Sequence, residues 1–466
     1  DLLRHLRHPA QRHRPPARPV NDGPRLLHEI VEQSAARAPD STAFRCRDES
    51  LSYSGLLTKS RQLAGLLIDL GVKPGDRVGL FAGKTIELPV AVFGVLGAGA
   101  AYVPLDPTAP VSRIESLIDD CGISVLISEP NRRRALQQMD GGPQVVIGLA
   151  EETDVPFRCI SWSSVFAGTD EAPQPAVEDD GLAYIIYTSG STGEPKGIMQ
   201  THASAMAFAR AAARTYELSA SDRLSNFPPL HFDQSIFDFF SGPLAGASTV
   251  LISEVVMRFS ANLADLIERE RLTTWYSVPM PLTKMLIDGA LEDRDLSSVR
   301  WILYGGEAFP PKYLRQLLTR FPAATISNVY GPAETNQCTY FNVSKPGDVP
   351  DDGLPIGPPW PWARARVVAP DDPRGPVLQE GELLVHSATA MTGYWGGRFP
   401  EVFVDIEEDG EVRRYYRTGD FVRVDDDGSL HFLGRRDRMI KSRGQRVELD
   451  EVEGALNGLD QVAEAA

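Results

Sequence analysis

The 466-residue chain is too long for one ordinary hydrophobic core, so its length predicts a large domain with smaller satellites. A formal net charge of −16 opposes binding to nucleic acid or to an anionic membrane. The four cysteines, Cys46, Cys121, Cys159 and Cys338, lack metal-ligand spacing, no apolar run reaches transmembrane length and no signal-peptide core opens the chain, which together predict a cytoplasmic protein with free thiols.

Residues 1–20 are rich in Arg, His and Pro with little to bury, and read as a flexible basic arm. From Leu26 to Ile127, helical patterns such as Ser60 to Leu70 alternate with apolar runs such as Val78 to Phe81, which predicts a parallel sheet covered by helices. Leu96 to Pro107 reads as a helix end running into a loop, a packing element to which no chemistry is assigned. The Pro- and acid-rich stretch 168–180 reads as a linker dividing an α/β core, residues 21–352, into two subdomains.

The apolar run Ala183 to Ile186 predicts a buried strand, and Tyr187-Thr188-Ser189-Gly190-Ser191-Thr192-Gly193-Glu194-Pro195-Lys196-Gly197 follows it. Glycines let backbone N–H groups turn toward a ligand, and Thr188, Ser189, Ser191, Thr192 and Lys196 add donors, the chemistry that holds the phosphates of a nucleotide triphosphate. The composition also suits a plain surface loop, but a spacer has no need of Lys196. The spacing is not that of the Walker A loop, where Gly-Lys-Ser/Thr leads directly into a helix.

Further along, Phe232-Asp233-Gln234-Ser235 lies among Leu230, Ile236, Phe237, Phe239 and Phe240, company in which a carboxylate is costly to bury unless a cation pairs with it. Leu263, Leu266 and Ile267 mark one helix face, and Trp275 to Val278 a strand. Trp301 to Tyr304 reads as a strand leading through Gly305-Gly306-Glu307 to a helix opened by Pro310-Pro311. Asn328 to Thr335 ends another strand in a Gly-Pro turn, so Tyr330 and Glu334 can face the same crevice as the phosphate loop. Beyond Gly353 the pattern changes to short strands and tight turns, such as Phe421 to Val424 and Ser429 to Leu433 joined through Asp427-Gly428. This predicts a β-rich subdomain over 353–436.

The loop from Tyr187 to Gly197 resembles the signature of the adenylate-forming superfamily, which includes acyl-CoA synthetases, luciferases and the adenylation domains of nonribosomal peptide synthetases. Motifs in that family's order run from Leu51-Ser52-Tyr53 to Glu448. The resemblance implies an α/β fold, ATP and Mg²⁺ as cofactors, and an ATP-dependent, AMP-forming ligase. Thr188, Lys196 and Glu334 would be catalytic, Glu334 holding the metal. The nucleotide would be bound by Thr188, Ser189, Gly190, Ser191, Thr192, Gly193, Lys196, Gly306, Glu307, Asn328, Tyr330, Gly331, Asp420 and Arg435, with Tyr330 stacked on adenine, Asn328 on its edge and Asp420, within Tyr416-Arg417-Thr418-Gly419-Asp420, on the ribose. Asp437 would be the hinge between large and small domains, and residues 437–466 the hinge and the start of a truncated C-terminal domain.

In the amino-acid-activating branch of the family, an aspartate at the position of Asp233 holds the substrate ammonium. The side-chain pocket carried over by position is Gln234, Phe237, Ser277, Leu303, Gly305, Val329, Gln337 and Cys338, which favours an uncharged, mainly apolar α- or β-amino acid. The same resemblance implies transfer of the acyl group to the phosphopantetheine thiol of a carrier protein, supplied in trans or lying beyond Ala466. It also implies a late lysine that this sequence does not contain, so adenylate formation by the chain as written is expected to be weakened. An acyl- or aryl-CoA ligase and a non-catalytic nucleotide-binding protein remain as the other readings.

Overall fold

The apolar runs of the sequence become the strands of two mainly parallel sheets whose interior strands are buried on both faces. The computed structural model describes residues 23–171, 175–188 and 195–435, with short pieces at 439–442, 445–449, 452–453 and 456. The basic arm, most of the phosphate loop (189–194) and Asp437 lie outside the described residues.

Among the described residues each of the two sheets has eight strands. In the first, Arg77–Phe81, Ala101–Pro104, Val125–Ser128, Val145–Ile147 and Arg158–Ile160 run parallel with Leu182–Thr188, and Lys196–Thr201 turns back antiparallel. The second holds Arg223–Asn226, Ser248–Leu251, Thr274–Ser277, Trp301–Tyr304 and Thr325–Tyr330 in parallel, closed by antiparallel edge strands. Runs such as Val125–Ser128 and Thr274–Ser277 are buried at every position, as parallel strands covered on both faces require.

The covering helices follow the same logic. Tyr53–Asp69 is capped by Ser52, whose side chain accepts from the Gly55 N–H, and it buries Leu56, Leu63, Ala64 and Leu67 along one stripe. It packs on Glu87–Gly97 at Gly94, where a Cβ would fall 2.6 Å from Leu63 Cδ2, so only glycine permits the close approach.

Two expectations are corrected. The stretch 168–180 does not separate the two sheets: Leu182–Thr188 and Lys196–Thr201, which follow it, join the first sheet, whereas Thr42–Cys46 and Glu49–Ser52, far ahead of it, join the second. Long-range pairing decides membership, and composition carries no trace of it. Likewise the supposed loop after Gly97 contains the strand Ala101–Pro104, buried throughout.

The third sheet is antiparallel: Ala363–Val368, Glu380–Ser387, Glu411–Val424, Phe403–Glu408 and Leu430–Arg435. Its last hairpin turns where Asp427 Oδ1 accepts from the Ser429 N–H and Gly428 has φ +84°. Met439–Ser442 and Gln445–Glu448 pair as a separate hairpin.

The strand leading to Asp233 is anchored by Asp222, 3% exposed, which accepts from Arg300 Nε at 2.8 Å, Thr273 Oγ1 at 2.7 Å and the Ser219 N–H at 2.8 Å. Burial works to raise this carboxyl's pKa, but the Arg300, Thr273 and Ser219 hydrogen bonds outweigh it and hold it below the usual value. Asp222→Asn is therefore expected to lower stability by about 2–4 kcal/mol at neutral pH. Because the folded-state pKa is depressed, that contribution is complete above about pH 4 and fades as pH falls through the folded value. Denaturant unfolding of both proteins from pH 7 downward should show the difference shrinking in acid; a constant difference would contradict it.

Candidate active site

The carboxyl ends of both parallel sheets open on one cleft with a cavity volume of about 300 Å³. Its wall includes Thr188 at the end of the first sheet's strand, Gly305 and Gly306 after Trp301–Tyr304, and Val329 and Gly331 at the end of Thr325–Tyr330. Asp233 and Gln234 enter from the turn after Leu230, and Asp420 and Arg435 from the antiparallel sheet. Three sheets thus contribute to one site.

On the phosphate-loop side, Thr188 and Lys196 are paired across the strand register. Thr188 Oγ1 is shut from solvent without a hydrogen-bond partner among the described residues. Lys196 Nζ lies 4.4 Å from the Phe399 ring centroid and 5.8 Å from that of Tyr394. Tyr394 Oη in turn donates to Glu334 Oε1 at 2.7 Å. Glu334 is fully buried, one residue behind the Pro332 and Ala333 that face the cavity.

The turn carrying Glu334 is fixed by backbone sterics. A Cβ on Gly331 would sit 1.7 Å from the Asn336 carbonyl oxygen, so no side chain fits there. Among the described residues no group of three or more metal-ligating side chains is gathered; the Glu334 carboxylate is a hard oxygen donor of the kind that suits a divalent cation carried on phosphates.

Opposite, Asp420 is 1% exposed yet part of the cavity wall. One of its oxygens accepts from the Tyr330 hydroxyl and the other from Arg435 Nη1. Burial, followed by the Asp420 charge, pushes the Tyr330 hydroxyl's pKa well up, so it stays a donor. Tyr330 lies with its ring 6.4 Å from Phe432, outside the cavity wall. Asn328 is also outside it, its Nδ2 donating to the Pro355 carbonyl at 2.8 Å, and Glu307 is half-buried and likewise not part of the wall.

Asp233 is half-buried in the wall, close enough to Tyr184 and Tyr276 that its charge adds to burial in raising both phenol pKa values. Of the expected side-chain pocket, Gln234, Gly305, Val329 and Gln337 line the cavity. Phe237, Ser277, Leu303 and Cys338 do not: all four are buried outside its wall. Phe237 packs edge-on against Tyr276, 5.7 Å between ring centroids, and it is Tyr276 that faces the cavity. Ser277 Oγ accepts from Trp275 Nε1 and donates to the Val278 carbonyl, so its polarity is used internally. Gly305 is constrained by packing as well as volume, since a Cβ would lie 2.6 Å from the Val329 carbonyl oxygen.

The sequence reading missed Asp106, Arg113, His231 and Tyr276, which also line the cleft. Asp106 directly follows a buried apolar run, and a strand's carboxyl end was the available signal. His231 Nε2 lies 3.9 Å from Asp106, and burial holds its pKa below the usual histidine value, so it is neutral at pH 7.

A cleft between two parallel sheets, with Thr188 at one lip and the buried Asp420 carboxylate bracing the other, defines a nucleotide-using α/β enzyme. Residues 31–395 match the AMP-binding enzyme family, and the chain belongs to that family. Over 95% of its length it is 36% identical to an L-proline--[L-prolyl-carrier protein] ligase of Pseudomonas fluorescens, of which it covers 86%. It is 34% identical to the Streptomyces coelicolor protein of the same name, covering 83% of it. Among solved structures, IdnL7 superposes with a TM-score of 0.78 at 28% identity over 94% of this chain and 86% of that one. The nonribosomal peptide synthetase FmoA3 does so with a TM-score of 0.77 at 29% identity, over 88% of this chain and 42% of that one.

Proposed function

We propose that the protein activates an uncharged amino acid with ATP, forming an aminoacyl-adenylate and pyrophosphate, and passes the acyl group to the phosphopantetheine thiol of a carrier protein. The observation that carries this reading is Asp233, a carboxylate in the wall of the same cavity that Thr188 and Asp420 enter. The relatives named as prolyl-carrier protein ligases support both the amino acid and the carrier protein.

In this reading Asp233 receives the substrate ammonium and sets the carboxylate against the α-phosphorus. The substrate carboxylate oxygen forms the new P–O bond as the bond to pyrophosphate breaks, and no side-chain nucleophile is needed. Lys196, Thr188 and the residues of the loop Ser189 to Gly193 hold the departing phosphates. Asp420 accepts from the ribose hydroxyls, its four lone-pair directions exceeding the two protein donors already on it. Glu334 would hold a Mg²⁺ ion brought in with ATP, which would neutralise phosphate charge. The uncharged wall residues Gln234, Tyr276, Gly305, Val329 and Gln337 favour an uncharged side chain in the substrate.

The test is ATP–pyrophosphate exchange screened over α- and β-amino acids. Exchange dependent on an amino acid is expected. Exchange driven equally by simple carboxylic acids would favour an acyl- or aryl-CoA ligase, and ATP binding without exchange for any acid would favour a non-catalytic protein.

A further inference from the structure

The inner wall of the cavity carries two hydrogen-bonding groups that the protein leaves unmatched. Gln337 and Tyr276 both line the cavity and are 4% and 2% exposed. Gln337 Nε2 donates to Tyr276 Oη at 2.8 Å. That bond uses the phenol oxygen as acceptor, so the phenol hydrogen is directed elsewhere, and it meets no acceptor among the described residues. Gln337 Oε1 is likewise buried with no donor among them. Unmatched buried groups are rare and unfavourable, and a pair of them, one acceptor and one donor, on the wall of a binding cavity calls for a ligand that completes them.

We infer that the substrate side chain carries a hydroxyl group that donates to Gln337 Oε1 and accepts from Tyr276 Oη. A hydroxyl both donates and accepts through a single atom, and it serves with either orientation of the Gln337 amide. The inference rests on the amino-acid-activating reading and narrows it to hydroxylated, uncharged amino acids. It departs from proline, the amino acid in the relatives' names, which has no hydroxyl to offer. An apolar side chain would bury both groups unpaired, and sites built around a substrate hydroxyl reject the analogue lacking it far more strongly than apolar pockets reject a missing methylene.

The test is pyrophosphate exchange with matched pairs: serine and alanine, threonine and valine, homoserine and norvaline, 4-hydroxyproline and proline, tyrosine and phenylalanine. The best substrate should be a hydroxylated member, leading its partner in kcat/KM by about a hundredfold. Gln337→Leu and Tyr276→Phe should each shrink that lead several-fold or more. An apolar best substrate, a lead under tenfold, or a lead unchanged in both variants would overturn the inference; the wild-type comparison stands even if a variant fails to fold. Activity only with acids lacking the amine would instead remove the parent reading, and the inference with it, so the two failures are distinct.

Discussion

Asp233→Ala should lower kcat/KM for the amino acid by about a hundredfold to a thousandfold while ATP affinity changes little. The magnitude follows from removing one member of a partly desolvated charge pair, which costs about 2–5 kcal/mol, much of it from leaving the ammonium buried without a counter-ion. The site offers no substitute. The other cavity carboxylates are Asp106, which accepts from the Thr108 N–H and hydroxyl, and Asp420, which takes Tyr330 and Arg435. Calorimetry of ATP binding beside exchange kinetics separates loss of amine recognition from collapse of the cleft. Turnover retained within about tenfold would show that Asp233 does not receive the ammonium.

Asp420→Ala should act twice, through the nucleotide and through the fold. ATP affinity is expected to fall about a hundredfold, because on the proposed reading the ribose would lose an acceptor that is itself buried. Stability should fall by about 3 kcal/mol as well, since Arg435 and the buried Tyr330 hydroxyl lose their shared partner. Tyr330→Phe removes only the phenol bond and should cost about 1 kcal/mol with ATP affinity within tenfold. Isothermal titration with ATP and denaturant unfolding of both variants provide the check. A destabilised Asp420→Ala protein that binds ATP as the wild type does would make Asp420 a brace between sheets and nothing more.

Much of this cleft was legible because its elements are local. Trp301–Tyr304 stands where its apolar run predicts, and the helix after it begins at Pro311 as the double proline indicates. The helix Ser260–Glu270 buries the Leu263, Leu266 and Ile267 stripe read from its periodicity. What was not legible depends on partners distant in the chain. Thr42–Cys46 pairs with Ser248–Leu251 some two hundred residues on, and nothing in its own composition names that partner.

The cleft shows the same division. The strand ends that deliver Thr188, Gly305 and Val329 follow from βαβ order, whereas the exchange of Phe237 for Tyr276 in the wall depends on how two rings pack edge to face. Ser277 was misplaced because its hydroxyl finds partners within its own segment. A carry-over by position supplies the segment, and packing decides which side chain of that segment meets the ligand.

The central claim is that Asp233 reads the amine, and the most direct measurement pairs the best amino acid with its desamino acid in exchange assays of the wild type and Asp233→Ala. The account predicts that the wild type prefers the amino acid by about a hundredfold or more and that the preference collapses in the variant, since the coupling belongs to that one pair. Equal use of both acids by the wild type, or a preference that survives in Asp233→Ala, would contradict it.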